Sequence, residues 1–343
     1  MREIGSEYSL ALHSGCTPCI DIRDSASGGI LMKSGRSAID LAAAMIENSG
    51  KEKSVAMPSW CCGSMLQPFV ERGWRISFYE IAFEDEKTVL KGEIPEDVSL
   101  LYTSSFFGSD PLIEINPPSS ILRIHDFTHS FLDQTVPDAE FLVASIRKWG
   151  AIATGGIFIS KEELPYLPEL KRADGSLKFR AMQMKADYLE KGNDDKNAFL
   201  ELFSSANHSF EEEYSMLGID SMSNSLYQKW NIAEISEIRR RNAGLLREGL
   251  ADIDEIRCIL PDSECHVPLF VPAMVSGGKR DALRQHLTAQ EIYLPVHWPR
   301  PALVPAGLSR QLFEEELSLV CDQRYGEEDM LRIIQTIKTF FRK

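Results

Sequence analysis

Four short segments of the chain carry side chains whose types and spacing could do chemistry together. Asp126 and, three residues on, His129 follow the apolar run 120–125 (SILRIH), while Ser145 and Lys148 follow the run 139–144 (AEFLVA). Ser34-Gly35-Arg36-Ser37 opens a helical stretch, and Pro58-Ser59-Trp60-Cys61-Cys62 follows the apolar run 54–57. An amine beside another cation and partly withdrawn from water is more easily deprotonated and nucleophilic, which suits Lys148 next to Arg147. A carboxylate such as Asp126 can keep the nitrogen of a pyridine ring protonated, so that the ring accepts a carbanion's electrons. The free N–H groups and hydroxyls of a helix start, with Arg36 as a charge, suit a dianionic phosphate. Lysine, carboxylate and phosphate cradle together point to pyridoxal phosphate.

Each of these residues also has an ordinary structural use. Ser34 and Gly35 can cap a helix, Asp126 can cap a turn, His129 can pack in a core, and Trp60 can fill one. The argument rests on their coincidence at strand ends, because ligands of a parallel sheet collect beyond its carboxyl edge.

The elements that must position them are legible in the apolar pattern. Residues 34–48 place Ala38, Ile39, Leu41, Ala42, Met45 and Ile46 on one helical face. A helix is expected at 63–72. Runs at 54–57, 75–81, 98–103, 120–125, 139–144 and 156–160 are short, nearly continuous in apolar character and bounded by turn residues, as parallel strands covered on both faces should be. This predicts an α/β layered domain with a mainly parallel sheet. Residues 161–217 read as a charged helical excursion with a turn at 191–195 (KGNDD), followed by a long helix over 225–250. Its basic run Arg239-Arg240-Arg241 reads as a solvated or interfacial face. A strand at 266–272 and helices at 278–290 and 326–341 complete a smaller α+β domain. The expected division is 1–230 for the N-terminal arm and large domain and 231–343 for the small domain.

Composition narrows the partners. Among 343 residues, 37 Lys and Arg stand against 51 Asp and Glu, a net charge of −14 that repels nucleic acid and anionic membrane surfaces. No run approaches the length of a membrane span, and MREIGSEYSL lacks a leader-like pattern, so a cytoplasmic location is expected. The 7 cysteines are scattered and odd in number, which argues against a disulfide framework. Cys16 and Cys19, with His13 nearby, make only half of a zinc site, so no metal is expected.

The motifs SGRSAIDLA, MPSWCC, IHDFTHSF, SIRKWGAIATGG, IYLPVHWP and LSLVCDQRYGEEDM, in that order from about residue 30 to the C-terminus, resemble the DegT/DnrJ/EryC1/StrS family of fold-type-I pyridoxal-phosphate aminotransferases. The resemblance implies that Lys148 forms the Schiff base with the cofactor and then shuttles a proton, and that Asp126 pairs with the ring nitrogen. It places His129 near the phenolic oxygen, Arg36 and Ser37 at the phosphate, and Ser145 as a further hydroxyl. For the aromatic laid over the ring it leaves Trp60, or Cys62 in another register. It implies an amino-acid donor, glutamate being the candidate, a keto acceptor such as a keto sugar, and a homodimer. One departure matters: where sugar-nucleotide members carry G-x-N-x-R-M, this chain has GIDSMS, with Ile219 and Ser221 at the Asn and Arg positions. The clamp reaching the neighbouring subunit's cofactor is therefore altered. His297, Arg300 and Arg324 are candidates for a substrate carboxylate or hydroxyl, though each has a structural reading. Competing readings are a lyase or elimination reaction on the same scaffold, a non-catalytic binding protein, and a cysteine hydrolase built on Cys61 or Cys62.

Overall fold

Short apolar runs alternating with helical stretches assemble here into one ten-stranded sheet. The structure, a computed structural model, describes residues 3–10, 29–112, 118, 120–133, 138–164, 169–192 and 195–342. Cys16, Cys19 and His13 lie outside them, as does part of the expected turn at 191–195. The strands are β1 (Ile4–Gly5), β2 (Ile30–Met32), β3 (Ser54–Pro58), β4 (Arg75–Glu84), β5 (Lys87–Lys91), β6 (Leu100–Ser104), β7 (Leu122–Asp126), β8 (Phe141–Ala144), β9 (Gly156–Ser160), β10 (Lys171–Arg172), β11 (Leu217–Gly218), β12 (Ile256–Cys258), β13 (Val271–Val275), β14 (Ile292–Tyr293) and β15 (Glu316–Leu319). The helices are α1 (Gly35–Asn48), α2 (Gly63–Glu71), α3 (Ser176–Lys191), α4 (Lys196–Glu212), α5 (Ser221–Tyr227), α6 (Ile232–Leu250), α7 (Arg280–Thr288), α8 (Arg310–Glu315) and α9 (Glu327–Phe341). None of the described helices is long and apolar enough to cross a membrane.

The large sheet has the order β10-β11-β2-β9-β8-β7-β6-β3-β4-β5. Strands β8, β7, β6, β3 and β4 run parallel, and β9 runs against them. Every residue of β3, β6 and β9 is buried, the reason their sequences are almost unbroken in apolar character. Helix α1 lies on this sheet, its start capped by Ser34, whose Oγ accepts from the Ser37 N–H at 3.2 Å. The start of α1 presses so closely on β9 that a Cβ at Gly156 would lie 2.2 Å from the Ser34 carbonyl. Gly156→Ala must therefore push α1 away from the sheet, and a loss of about 3 kcal/mol in urea unfolding is expected.

A second core gathers Leu246, Val271, Leu283, Leu317, Met330 and Ile333 around the three-stranded antiparallel sheet β12-β13-β15. Strand β1 pairs with β14, so the N-terminal segment joins this C-terminal layer rather than the large sheet. The expected helix over 225–250 is two helices, α5 and α6. Between them Trp230 covers Gly150, where a Cβ would meet the indole at 2.5 Å, and Asn231 caps α6. The strand expected at 266–272 forms only from Val271. Ahead of it, Asp133 holds the His266 Nδ1 at 2.6 Å and accepts from the Val267 N–H at 2.7 Å, which pulls the chain off the sheet. Arg239 departs from the solvated face read for the basic run. It is fully buried and donates to the carbonyls of Pro268 and Leu269 at 3.1 and 3.0 Å, with its guanidinium 4.8 Å from the Trp149 ring.

Candidate active site

The parallel strands deliver their carboxyl ends to one edge. Ser104 closes β6, Asp126 closes β7, Ser145 follows β8, and Cys62 stands between β3 and α2. The start of α1 reaches the same edge, with Gly35 so near Ser145 that a Cβ there would lie 3.1 Å from the serine's own. Together with Arg36, Thr128, His129, Arg147, Lys148, Phe210 and Trp298 they line a single hollow.

Lys148 ends the 3-10 turn Ile146–Lys148, which is braced where the Arg147 N–H donates to the Gly155 carbonyl at 3.1 Å and the Trp149 Nε1 to the Thr128 carbonyl at 2.8 Å. Burial pushes the Lys148 amine below the ordinary lysine range, opposed by Cys62 and Asp126 and reinforced by Arg147. Asp126 is buried, and its two oxygens each accept one bond, from the Tyr102 hydroxyl at 2.8 Å and the Thr128 N–H at 2.9 Å. Both keep a lone pair in reserve, and the carboxylate cannot turn away from the hollow without losing a partner. His129 lies between Phe107, at 4.1 Å between ring centres, and Trp298, at 5.7 Å and nearly parallel. Burial and Lys148 hold it well below the ordinary histidine range, so it is neutral, and its buried Nδ1 has no partner among the described residues.

The α1 end of the hollow is cationic. Arg36 donates through Nη1 to the Phe210 carbonyl, and Arg147 lies 4.4 Å from the Phe210 ring centre. The Nε atoms of both arginines are buried without a partner among the described residues. Lys33 donates to the carbonyls of Ser209 and Glu213 at 3.1 and 2.6 Å, so Lys33 and Arg36 together dock the C-terminal end of α4 over this side.

Of the expected site residues, Arg36, Asp126, His129, Ser145 and Lys148 line the hollow, and Ser37 and Trp60 do not. Ser37 turns its Oγ to the Ser34 Oγ, 3.0 Å away, because the cap of its own helix claims it. Trp60 is fully buried behind the lining, stacked on Phe106 at 5.0 Å, and Cys62 takes the place at the wall. The Cys62 Sγ lies 2.9 Å from the Ser64 Oγ, and no imidazole hydrogen-bonds it among the described residues, whereas burial pushes the Cys61 thiol up. Phe210 is a lining residue that motif reading missed. It stands seven residues after Phe203, on the same face of α4, which was the available signal.

A wider cavity of about 460 Å³ adjoins the hollow and shares Arg147 and Lys148 with it; Glu7, Lys178, Arg284, Tyr293, His297 and Arg324 also line it. Burial and Arg147 bring the Lys178 amine down to about 8, although it lies 3.3 Å from Glu7. Arg324 is committed to Asp322 at 2.8 Å, and Arg300 to the carbonyls of Pro305 and Leu308 at 2.9 and 2.8 Å. In the GIDSMS segment, Asp220 caps α5 and accepts from the Thr154 hydroxyl at 2.5 Å, while the Ser223 Oγ accepts from the Ala153 and Thr154 N–H groups at 3.1 and 3.0 Å. This segment braces the loop after Lys148.

The strand order, the crowded helix start and the hollow at the carboxyl edge place one candidate site on a mainly parallel α/β sheet. No family model matches the chain, and no curated protein matches it by sequence. Solved structures match over almost all of it. DesV from S. venezuelae is 15% identical with a TM-score of 0.65, over 94% of this chain and 87% of that one. A DegT DnrJ EryC1 StrS aminotransferase from Brucella abortus is 17% identical with a TM-score of 0.63, over 92% and 87%. NtdA from Bacillus subtilis, solved with bound cofactor PMP, is 14% identical with a TM-score of 0.62, over 92% and 74%. The chain therefore shares the fold of the DegT/DnrJ/EryC1/StrS aminotransferases.

Proposed function

We propose that the protein is a pyridoxal-phosphate-dependent aminotransferase that takes nitrogen from an amino acid, glutamate being the candidate, and delivers it to a keto acceptor, a keto sugar being the candidate. The observation that carries this reading is the meeting of Lys148 and Asp126 in one hollow with the start of α1. The residues present fit the cofactor. Two buried guanidinium nitrogens without partners among the described residues and the start of α1, which lines the hollow, suit a phosphate, Asp126 suits a protonated ring nitrogen, and a half-buried amine suits an aldehyde. Bound there, pyridoxal phosphate would supply an aldehyde for covalent attachment and a ring that takes up electrons from the substrate carbon.

The chain's own residues would do the rest. Lys148, with its amine lowered by burial, would serve as the base that takes up and returns a proton at Nζ. Asp126 would hold the ring's proton, Ser145 and Arg36 would hold the phosphate, and neutral His129 would stand by the ring. Phe210 and the docked end of α4 would help to shield the site from water. Aminotransferases among the structural neighbours support the reading. The proposal includes a homodimer, a cytoplasmic location, small-molecule substrates and no nucleic-acid partner, the last consistent with the net charge of −14. The division at about residue 230 belongs to the same proposal.

Reconstitution with pyridoxal phosphate tests it. Visible absorbance should appear on the protein, be discharged by glutamate with release of the keto acid, and return when a keto sugar is added. Absorbance indifferent to every amine would instead make this a binding protein. Loss of absorbance with ammonia released and no aminated product would make it a lyase.

A further inference from the structure

Behind the wider cavity three side chains form a continuous chain that the proposed reaction does not use. The His297 Nδ1 lies 2.7 Å from the Ser318 Oγ, and that oxygen lies 2.5 Å from the Glu316 Oε1. The other carboxyl oxygen, Oε2, accepts from the His297 backbone N–H at 2.6 Å. Glu316 and Ser318 are fully buried on β15, whereas His297 lines the cavity that Lys148 shares. The His297 Nε2 has no hydrogen-bond partner among the described residues, so this nitrogen is the end of the chain open to the cavity.

We infer that Glu316 and Ser318 are positioning residues that set the tautomer of His297, so that its Nε2 presents a hydrogen to a substrate oxygen beside Lys148. The hydroxyl between them has one proton and must choose a direction. With the carboxyl protonated, the Oε1 proton points to the Ser318 Oγ, because Oε2 is already an acceptor. The Ser318 proton then points to the His297 Nδ1, and the ring carries its own proton on Nε2. With the carboxylate ionised, the hydroxyl turns to Oε1 and accepts from an Nδ1–H, which leaves a lone pair on Nε2. Passing from the first state to the second releases one proton in all. It leaves from Nε2 as the others move one place along the chain, and the negative charge ends on Glu316. The ionisation belongs to the whole chain rather than to one residue.

The surroundings favour the first state at neutral pH. Burial pushes the Glu316 carboxyl up to about 8, against the hydrogen bonds from Ser318 and the His297 N–H and the more distant charge of Arg280. Arg280, on α7, gives its Nη1 to the Glu316 backbone carbonyl rather than to the carboxyl. Around the imidazole, Phe107, Phe270 and Trp298 supply apolar ring contacts, and His129 lies 5.8 Å away. Burial and the charge of Lys148 keep His297 well below the ordinary histidine range, so it stays neutral throughout. The inference takes from the proposed function only that a substrate oxygen enters this cavity.

The test reads the ring directly by long-range nitrogen–proton correlation NMR on the full chain from about pH 6 to about pH 9.5. The His297 signal is identified, among the 7 histidines, by its loss in His297→Asn. The wild-type ring should show the Nε2–H pattern at neutral pH and cross to the Nδ1–H pattern with a midpoint near the value of about 8 for Glu316. In Glu316→Gln the amide oxygen can accept from the His297 N–H while its NH2 donates to Ser318, so the Nε2–H pattern should persist across the whole range. Ser318→Ala should give a mixture of both patterns at neutral pH. An Nδ1–H pattern at neutral pH, or the same crossing in Glu316→Gln as in the wild type, would overturn the inference. Because the experiment needs no cofactor, its failure is distinct from failure of the aminotransferase reading, which shows as unresponsive absorbance.

Discussion

Lys148→Ala protein, reconstituted with pyridoxal phosphate, is expected to lack the visible absorbance of covalently attached cofactor and to lose amino transfer by about 10³-fold or more. Among the described residues Lys148 is the only lysine lining the inner hollow. Its Nζ makes no hydrogen bond among the described residues, so its removal leaves the fold intact while the reacting group disappears. Its setting explains why it is suited to the work: burial and Arg147 lower the amine, while Asp126 and Cys62 raise it. The balance leaves a base nearer to working pH than an exposed lysine would be. Borohydride reduction followed by mass analysis of the peptide bearing residue 148 gives a second readout. Attachment at a different lysine, or unchanged absorbance in the alanine variant, would remove Lys148 from its assigned role.

Asp126→Asn should cost about 10²-fold to 10³-fold in turnover with little change in stability. Asparagine has the same shape, and its amide oxygen can still accept the Thr128 N–H, which lies 2.9 Å from the present carboxylate. What it lacks is the negative charge. A ring nitrogen facing a neutral amide is no longer held protonated, and the substrate carbon loses its electron acceptor. Asp126→Ala is the harsher comparison, because it also strips the Tyr102 hydroxyl of its acceptor at 2.8 Å inside a buried site. Steady-state kinetics and thermal unfolding, measured together, separate the two effects. Equal activity of the Asn variant and the wild type would show that Asp126 only caps the turn before Thr128.

How far the site could be read in advance differs residue by residue. That Lys148, Asp126, His129, Ser145 and Arg36 line one hollow is legible because each follows or precedes an apolar run, and β7, β8 and α1 form where those runs are. Ser37 and Trp60 were read at the lining, yet they face away from it. Their backbones are at the right edge, but a cap hydrogen bond and an aromatic cluster direct their side chains elsewhere. Arg239 shows the same limit at larger scale: a run of three arginines on a helix resembles a wet surface until the segment ahead of β13 brings two carbonyls to it. The short strands β1, β12, β14 and β15 had no clear periodic signal, since two to four residues are too few to show one.

What the amino-acid order decided by itself was the alternation of buried strands with helices, and with it the edge at which chemistry would gather. Local hydrophobic period and capping residues act within a few positions along the chain and need no distant partner. Tertiary structure alone decided which side chains face one another across that edge. The docking of the end of α4 on Lys33 and Arg36 spans more than 170 residues, and the chain from Glu316 through Ser318 reaches His297 on a different segment. Contacts of that kind are made by packing, and no spacing in the sequence records them.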